Sequence, residues 1–524
     1  MENNGDINIK NMNKILLDLS KKNINTTNLE KNIDDITIEL YNLDPEKDRH
    51  KYNCLSCIYG AFLGDSIGSC CEFSAPSKNN HLYIFKYENG IFKPGEVTDD
   101  SEMAISAAFA YIDILNSDPS LIQDLIYYYY CVWRSSGPKD IGHATSAALR
   151  HWKYSSIIDT KFNNQMVRMA NWNSLANGFL MRISTFITYY YYTHLNIIYN
   201  TITNFFKIEQ SELSDEIINL YFNIFVESYK NVEVTHPNYE CGISSAVFTL
   251  MTLVGMVTKD AKKVISIFEL ISQSKKFIDC HQNKTLNQYV QFTQKKYLEI
   301  ISDIKSNKPI SVYSQMGYYL HGFKLSVFFL YKYPDMGQSK DINLYYDIMC
   351  DVCDYGGDTD TNCAIVGAMI GPLIGYKNFS ADLFERFIKF YPSKRCQFNS
   401  AFMYIYVKYL EDTLLNKDNS RTEEKPKKTN IENIPEEQKQ EDIKLNTTNE
   451  KKAEDEIKKE QGEGKSSEIK KVDENNENNE NEKAQSTVNN KNNNQIPNSQ
   501  NNNDEFKYTA YKLIMRFLNQ DMEI

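Results

Sequence analysis

No run of about eighteen consecutive apolar residues occurs in the 524-residue sequence, so a membrane-spanning helix of the usual length is not expected. The first twenty residues, MENNGDINIKNMNKILLDLS, lack the basic start and continuous apolar stretch of a secretory leader. A soluble, non-secreted chain in the cytoplasm is the expectation. Glycine and proline are sparse, 21 and 13 residues, and seldom clustered, which removes the turn punctuation that a β-sandwich or barrel requires. Basic charge falls short of acidic charge, 58 Lys and Arg against 69 Asp and Glu, and the net −11 argues against a mainly electrostatic grip on nucleic acid. The eleven cysteines are odd in number and lack the dense spacing of a secreted disulfide scaffold, so reduced thiols are expected. Two C-x-x-C pairs, Cys54 with Cys57 and Cys350 with Cys353, lie too far apart in sequence for ordinary four-cysteine zinc spacing. A pair three residues apart on a helix reads instead as core.

Aromatic residues make up 13% of the chain but are missing altogether from Asp412 to Glu505, a stretch of Asn, Glu, Lys, Gln and Ser. Such a composition cannot bury enough apolar area to offset its ordering entropy, so residues 413–505 read as a disordered low-complexity insertion. Within it, Lys425, Pro426, Lys427 and Lys428 read first as a solvated charge run and second as a nuclear signal. Beyond it, Ala510, Ile514, Phe517 and Leu518 follow the i, i+4, i+7, i+8 spacing of an amphipathic helix, expected over 506–524 and expected to pack on the core. Residues 1–50 read as a polar N-terminal extension. The remaining core, 51–412, holds helix-length segments such as Ser101–Leu115, Asp215–Tyr229, Gly242–Val257, Met316–Tyr331 and Thr361–Gly375, with little strand-type alternation. The fold class expected is all-α.

Gly60, Gly64 and Gly68 fall at four-residue spacing, as do Gly367, Gly371 and Gly375. Each set lies on one helical face, and glycine costs a helix about 1 kcal/mol per residue, so each stripe implies a close helix approach. Oxygen-rich clusters stand at two predicted helix starts: Thr98-Asp99-Asp100-Ser101 and Asp358-Thr359-Asp360-Thr361. Capping of free N–H groups is one reading. A hard divalent cation is the other, because each cluster offers more oxygens than a cap uses and neither contains His or Cys. An EF-hand is excluded, since counting from Asp358 puts Cys363 at the required glycine and Met369 at the required glutamate. A haloacid-dehalogenase motif fails at Asn362, while the Asp-x-Asp of a nucleotide-sugar transferase stays open.

The blocks GAFLGDSIGSCCEF (60–73), TDDSEMA (98–104), PKDIGHATSAAL (138–149), NGFLMRIS (177–184), THPNYECGISSAVF (235–248) and GGDTDTNCAIVGAMIGPLIG (356–375) occur in the order found in the ADP-ribosylglycohydrolase family, which the chain resembles. That family includes the dinitrogenase-reductase-activating glycohydrolase and the ADP-ribosyl-acceptor hydrolases. The resemblance implies a compact multi-helix domain whose central cleft holds two Mg2+ or Mn2+ ions and cleaves the C1'' glycosidic bond of ADP-ribose conjugates, ADP-ribosylated proteins among them. By matching position, Thr98, Asp99, Asp100, Asp358, Asp360 and Thr361 are the implied metal ligands, with Asp360 shared. Glu72 and Asp100 are the competing implied catalytic carboxylates. Asn177, Gly178 and His236 are implied at the diphosphate, and Asp140 and Gly142, with Thr145, at the acceptor side. Asp65 is expected to brace the metal site and Arg182 to buttress the fold. Ser101 replaces a commoner threonine, and Ala176 replaces a frequent glycine, which is expected to narrow the diphosphate loop. A monomer is expected. A non-catalytic ADP-ribose-binding scaffold and another Asp-x-Asp metal-dependent glycosyl-transferring enzyme stand as alternative functions.

Overall fold

The computed structural model describes residues 26–86, 91–150, 162–208, 211–281, 283–391, 395–415 and 509–518. The low-complexity insertion and the basic patch at 425–428 lie outside the described residues. Nineteen α-helices are found among those described. The first seven are α1 (Thr26–Asn42), α2 (Arg49–Gly68), α3 (Asp99–Ile114), α4 (Ile122–Ser135), α5 (His143–Ala148), α6 (Asn164–Asn171) and α7 (Ile183–Thr193). Next come α8 (Leu195–Phe205), α9 (Asp215–Val232), α10 (Tyr239–Thr258), α11 (Ala261–Gln273), α12 (Lys275–Asp279) and α13 (Lys284–Lys305). The last six are α14 (Leu320–Lys332), α15 (Leu344–Tyr355), α16 (Thr359–Ile374), α17 (Ala381–Lys389), α18 (Phe402–Leu414) and α19 (Thr509–Phe517). No strand occurs among the described residues, and one isolated antiparallel bridge joins Ala176 to Tyr318. The fold is all-α.

Helices α2 and α16 form the centre. From Tyr52 to Gly68 every residue of α2 is buried, and so is every residue of α16. The two glycine stripes face each other. A Cβ on Gly60 would strike the Gly367 carbonyl oxygen, one on Gly64 the Cys363 carbonyl, and one on Gly371 the Ser56 carbonyl. Three glycines of α2 and two of α16 therefore set the backbone separation, which offsets their cost in helix propensity, while Gly375, expected in the same stripe, ends α16 at φ 83° against the Tyr52 side chain. Thr359 Oγ1 donates to the Gly68 carbonyl at 2.7 Å and ties one end of the contact, and Tyr345 Oη of α15 donates to the Gly60 carbonyl at 2.6 Å. The Thr359 hydroxyl thus belongs to the helix pair.

Three departures from the sequence reading have physical causes. Helix α1 buries Leu29, Ile33, Ile36 and Leu40 on one stripe, and Asn32 Nδ2 donates to the Phe517 carbonyl at 2.8 Å, so the fold begins before residue 51. Helix α10 is long and apolar enough by length and composition to cross a bilayer, because Glu240, Ser244, Ser245, Thr249 and Thr252 interrupt its apolar run without lowering its mean hydropathy far. Nearly all of it is buried here against neighbouring helices. Residues 316–319, expected as helix, instead pair with the 175–177 segment: Asn177 N–H donates to the Gly317 carbonyl at 2.9 Å and Tyr319 N–H to the Leu175 carbonyl at 3.1 Å. The two C-x-x-C pairs do not meet. Cys54 and Cys57 are buried on α2, and Cys353 on α15 packs against Cys363 with sulfurs 4.0 Å apart. At the C-terminus Ala510, Ile514, Phe517 and Leu518 are all buried. The Ala510 N–H donates to Asp113 Oδ1 of α3 at 2.9 Å.

Candidate active site

Helix α3 begins at Thr98, whose extended backbone and Oγ1 cap the Asp100 N–H at 3.4 Å. The next free donors are taken by Asp65 of α2, which accepts from Thr98 N–H at 3.1 Å, Ser101 N–H at 3.2 Å and Ser101 Oγ at 2.5 Å. The serine hydroxyl does here what the commoner threonine would do. Asp65 thereby braces the turn from behind, and burial raises its pKa to about 7 against the pull of those bonds. With Thr98 and Asp65 serving as the cap, the carboxylates of Asp99 and Asp100 are not used in capping, and Asp100 Oδ2 is buried without a partner.

The second cluster is set by the turn before α16. Gly356 and Gly357 adopt φ of 68° and 81°, in the left-handed region, and both lie against the 74–76 backbone or Val312, where a Cβ would not fit. Phe73 N–H donates to the Gly357 carbonyl at 2.6 Å and Gly357 N–H to the Ser74 carbonyl at 2.9 Å. That backbone pair carries Glu72, four residues past the end of α2, onto the start of α16. Asp358 makes no capping bond, and its Oδ2 accepts from Asn177 Nδ2 at 2.7 Å. Asp360 Oδ1 accepts only its neighbour's N–H, from Thr361 at 2.8 Å. Carboxylate oxygens of Glu72, Asp358 and Asp360 come within 4.8 Å of one another, a group that could hold a metal ion. Thr361 Oγ1 donates to Asp100 Oδ1 at 3.2 Å and so links the two clusters.

These groups line one cavity of about 320 Å3. Glu72, Asp99, Asp100, Asp358, Asp360 and Thr361 form one side, Asn177, Gly178 and His236 another, and Asp140, Gly142 and Thr145 border it. Among the described residues no lysine or arginine lines it. Thr98 lies behind the wall as the cap. Burial, then mutual repulsion with neighbouring carboxylates, raises Asp99, Asp100 and Asp360 well above the usual range. The same causes raise Glu72 to about 8, with Asp358 its largest electrostatic neighbour. A cluster that cannot ionise fully alone, built only from hard oxygen donors, fits divalent cations.

On the far wall, Ala176 has φ −69° and ψ 154°, a conformation open to any residue, so its bridge to Tyr318 needs no glycine. At Gly178 the space is tighter: a Cβ there would sit 3.0 Å from His236 Cε1, so the imidazole would have to shift to admit it. Gly142 has open space where its Cβ would go, so packing does not require glycine there. Asp140 Oδ1 accepts from the Ile141 N–H at 2.8 Å. Arg182 is fully buried and bonds the Gly178 carbonyl and Thr235 Oγ1, which makes it the expected buttress. Sequence reasoning missed Phe73, His143, Ala144, Ser174, Met181 and Gly317 in the cavity lining, because their place there depends on loop and helix packing that no local motif marks. It also missed Glu102, whose buried carboxylate takes Trp133 Nε1 at 2.8 Å and pairs with Arg395, far off in sequence.

Residues 46–390 match the ADP-ribosylglycohydrolase family. A protein of Acanthamoeba polyphaga mimivirus, named as an ADP-ribosyl glycohydrolase, is 24% identical over 330 residues, covering 61% of this chain and 86% of its own length. A solved structure of an ADP-ribosylglycohydrolase-related protein complex aligns over 70% of this chain and 98% of its own at 14% identity and a TM-score of 0.41, too distant a likeness to support an inference. The matched span starts just before α2 and ends just after α17, and so takes in both acidic helix starts and the cavity between them. By that match the chain belongs to the ADP-ribosylglycohydrolase family of hydrolases.

Proposed function

We propose that this protein is a metal-dependent hydrolase that cleaves the C1'' glycosidic bond of ADP-ribose conjugates and so reverses ADP-ribosylation. The observation that carries the reading is the convergence, in one cavity, of two acidic helix starts, whose cavity-facing carboxylates make no N-cap hydrogen bond, with the Asn177–Gly178–His236 wall. Asp99 and Asp100 from α3 and Asp358, Asp360 and Thr361 from α16 would hold two magnesium or manganese ions, while Thr98, expected among the ligands, caps α3 behind them. Bound there, the ions would polarise ribose hydroxyls and water. The chain's own residues do the rest. Asn177 fixes Asp358 through its amide, Asp65 holds the α3 turn, and Gly178 keeps the wall low enough for backbone to face a diphosphate.

Glu72 is the better placed of the two candidate catalytic carboxylates. It is partly exposed on a loop beside the second cluster, where its carboxylate can meet water. Such a group can take a proton from water or give one to a leaving group within hydrogen-bond reach. Asp100 is fully buried and shares a hydrogen bond with Thr361, which suits ligation. The test is a panel of arginine-, serine- and acetyl-linked ADP-ribose substrates, each with magnesium and with chelator. Release of ADP-ribose from at least one linkage, abolished by chelator, is expected. Tight ADP-ribose binding without turnover on any linkage would make the protein a scaffold, and nucleotide-sugar turnover without ADP-ribose binding would make it a transferase.

A further inference from the structure

The cavity wall at Gly178 is backed by a chain of three polar side chains. Arg182 is fully buried, with its guanidinium 4.9 Å over the Tyr130 ring, and among the described residues no carboxylate pairs with it. One of its nitrogens donates to the Gly178 carbonyl and the other, Nη2, to Thr235 Oγ1 at 2.7 Å. Thr235 Oγ1 also lies 2.8 Å from His236 Nδ1. Proton counting decides the direction of that second bond. If Nδ1 carried the hydrogen, Thr235 would receive two donors, and its own hydroxyl hydrogen would be buried with no acceptor named for it. If Thr235 donates to Nδ1 instead, its hydroxyl hydrogen and the Nδ1 lone pair satisfy each other, and among the Thr235 and His236 hydrogens only the one on the imidazole is left without a protein partner. The imidazole hydrogen then sits on Nε2, a fully buried atom without a partner in a residue that lines the cavity, 3.4 Å from where a Gly178 Cβ would stand. Burial and the nearby Arg182 charge keep the ring neutral by pulling its pKa well below the usual histidine range.

We propose that Arg182 and Thr235 are positioning residues that lock His236 as its Nε2–H tautomer and so present one neutral donor to an acceptor oxygen of the bound ligand. The identity of that ligand as ADP-ribose rests on the function proposed above, whereas the tautomer does not. The relay also explains why a buried arginine has no carboxylate partner. Its charge is oriented through Thr235 and the Gly178 carbonyl toward the wall that receives the ligand's oxygens.

The experiment uses the full chain labelled with 15N-histidine, with the His236 signals assigned by their loss in His236→Asn. Long-range 1H–15N spectra of the ligand-free protein are expected to show a protonated, pyrrole-type Nε2 and an unprotonated, pyridine-type Nδ1. Thr235→Ser is expected to preserve that pattern. Thr235→Val is expected to average or reverse it and to weaken ADP-ribose binding, measured by calorimetry with magnesium, about five- to tenfold, the worth of one hydrogen bond. A protonated Nδ1 in the wild type, or an unchanged tautomer in Thr235→Val, overturns the relay. Should the valine variant not fold by circular dichroism, the wild-type and serine spectra decide, since a protonated Nδ1 in either refutes it. The expected tautomer without any ADP-ribose binding supports the relay and overturns ADP-ribose as its ligand.

Discussion

Removing divalent metal should make the stability of this protein fall as pH rises, and restoring metal should cancel most of that fall. The sign follows from the carboxylates. Glu72 moves from 4.5 to about 8 and Asp65 from 3.8 to about 7 on folding. A folded-state pKa raised above the unfolded one contributes stability that is complete below the unfolded pKa and is lost as pH rises through the folded one. Between pH 6 and 8, Glu72 titrates over two units and Asp65 over one, and each unit is worth about 1.4 kcal/mol, so the metal-free protein should lose about 4 kcal/mol. About 400 ordered residues at about 2.1 cal/mol/K each turn that into a drop in Tm of about 5 °C. With magnesium bound, Glu72 and the aspartates beside it stay ionised at both pH values, so the loss shrinks and the gap between loaded and metal-free protein widens with pH. Thermal melts in chelator and in excess magnesium, at pH 6, 7 and 8, measure this directly. A gap that is constant across that range, or metal-free protein more stable at pH 8 than at pH 6, would refute the reasoning.

Asp360→Asn should remove the magnesium-dependent rise in Tm and lower ADP-ribose release by more than about 100-fold, since it takes away a carboxylate that faces both Glu72 and Asp358. Unchanged metal stabilisation in that variant would displace Asp360 from the ligand set. Glu72→Gln should keep metal-induced stabilisation but lower kcat by about 100- to 10,000-fold; wild-type turnover would pass the proton role to Asp100. Gly64→Ala drives a methyl into the Cys363 carbonyl and should cost about 1–3 kcal/mol, a Tm loss of about 1–4 °C, with a wild-type melting curve as the contrary result. Ile514→Ala, at a fully buried position on α19, should cost about 2–4 kcal/mol by denaturant titration; no change would mean that α19 does not share the core's cooperative unfolding.

The all-α class was legible because helix-length apolar segments outnumbered turn signals, yet the two central helices carried almost no amphipathic period. Helices α2 and α16 are buried on every side, so no polar face marks their orientation. The glycine spacing served instead, since it reports backbone contact, and residues 60–68 indeed meet 359–371. The acidic clusters were equally visible, but their choice between capping and ligation was not. That turned on Asp65, thirty-three residues before Thr98, filling the cap. Thr235 carries no signal of its own in the sequence, because a threonine's part in a relay depends on which neighbours have already donated to it. The 1–50 boundary failed for a different reason: Leu29, Ile33, Ile36 and Leu40 are diluted by polar residues, and their stripe gains meaning only against the helices that cover it.

Helix α19 completes the core with four buried side chains and a backbone bond to Asp113, yet ninety-three residues of sequence separate Asn416 from Tyr508 inclusive at its entry. Its covalent link to α18 keeps the two helices at a high effective concentration. A single cut between residues 416 and 508 would turn one chain into a two-part complex. The folding of that complex becomes second order, so a nicked sample would melt at a temperature that falls on dilution, while the intact chain melts at the same temperature at any concentration.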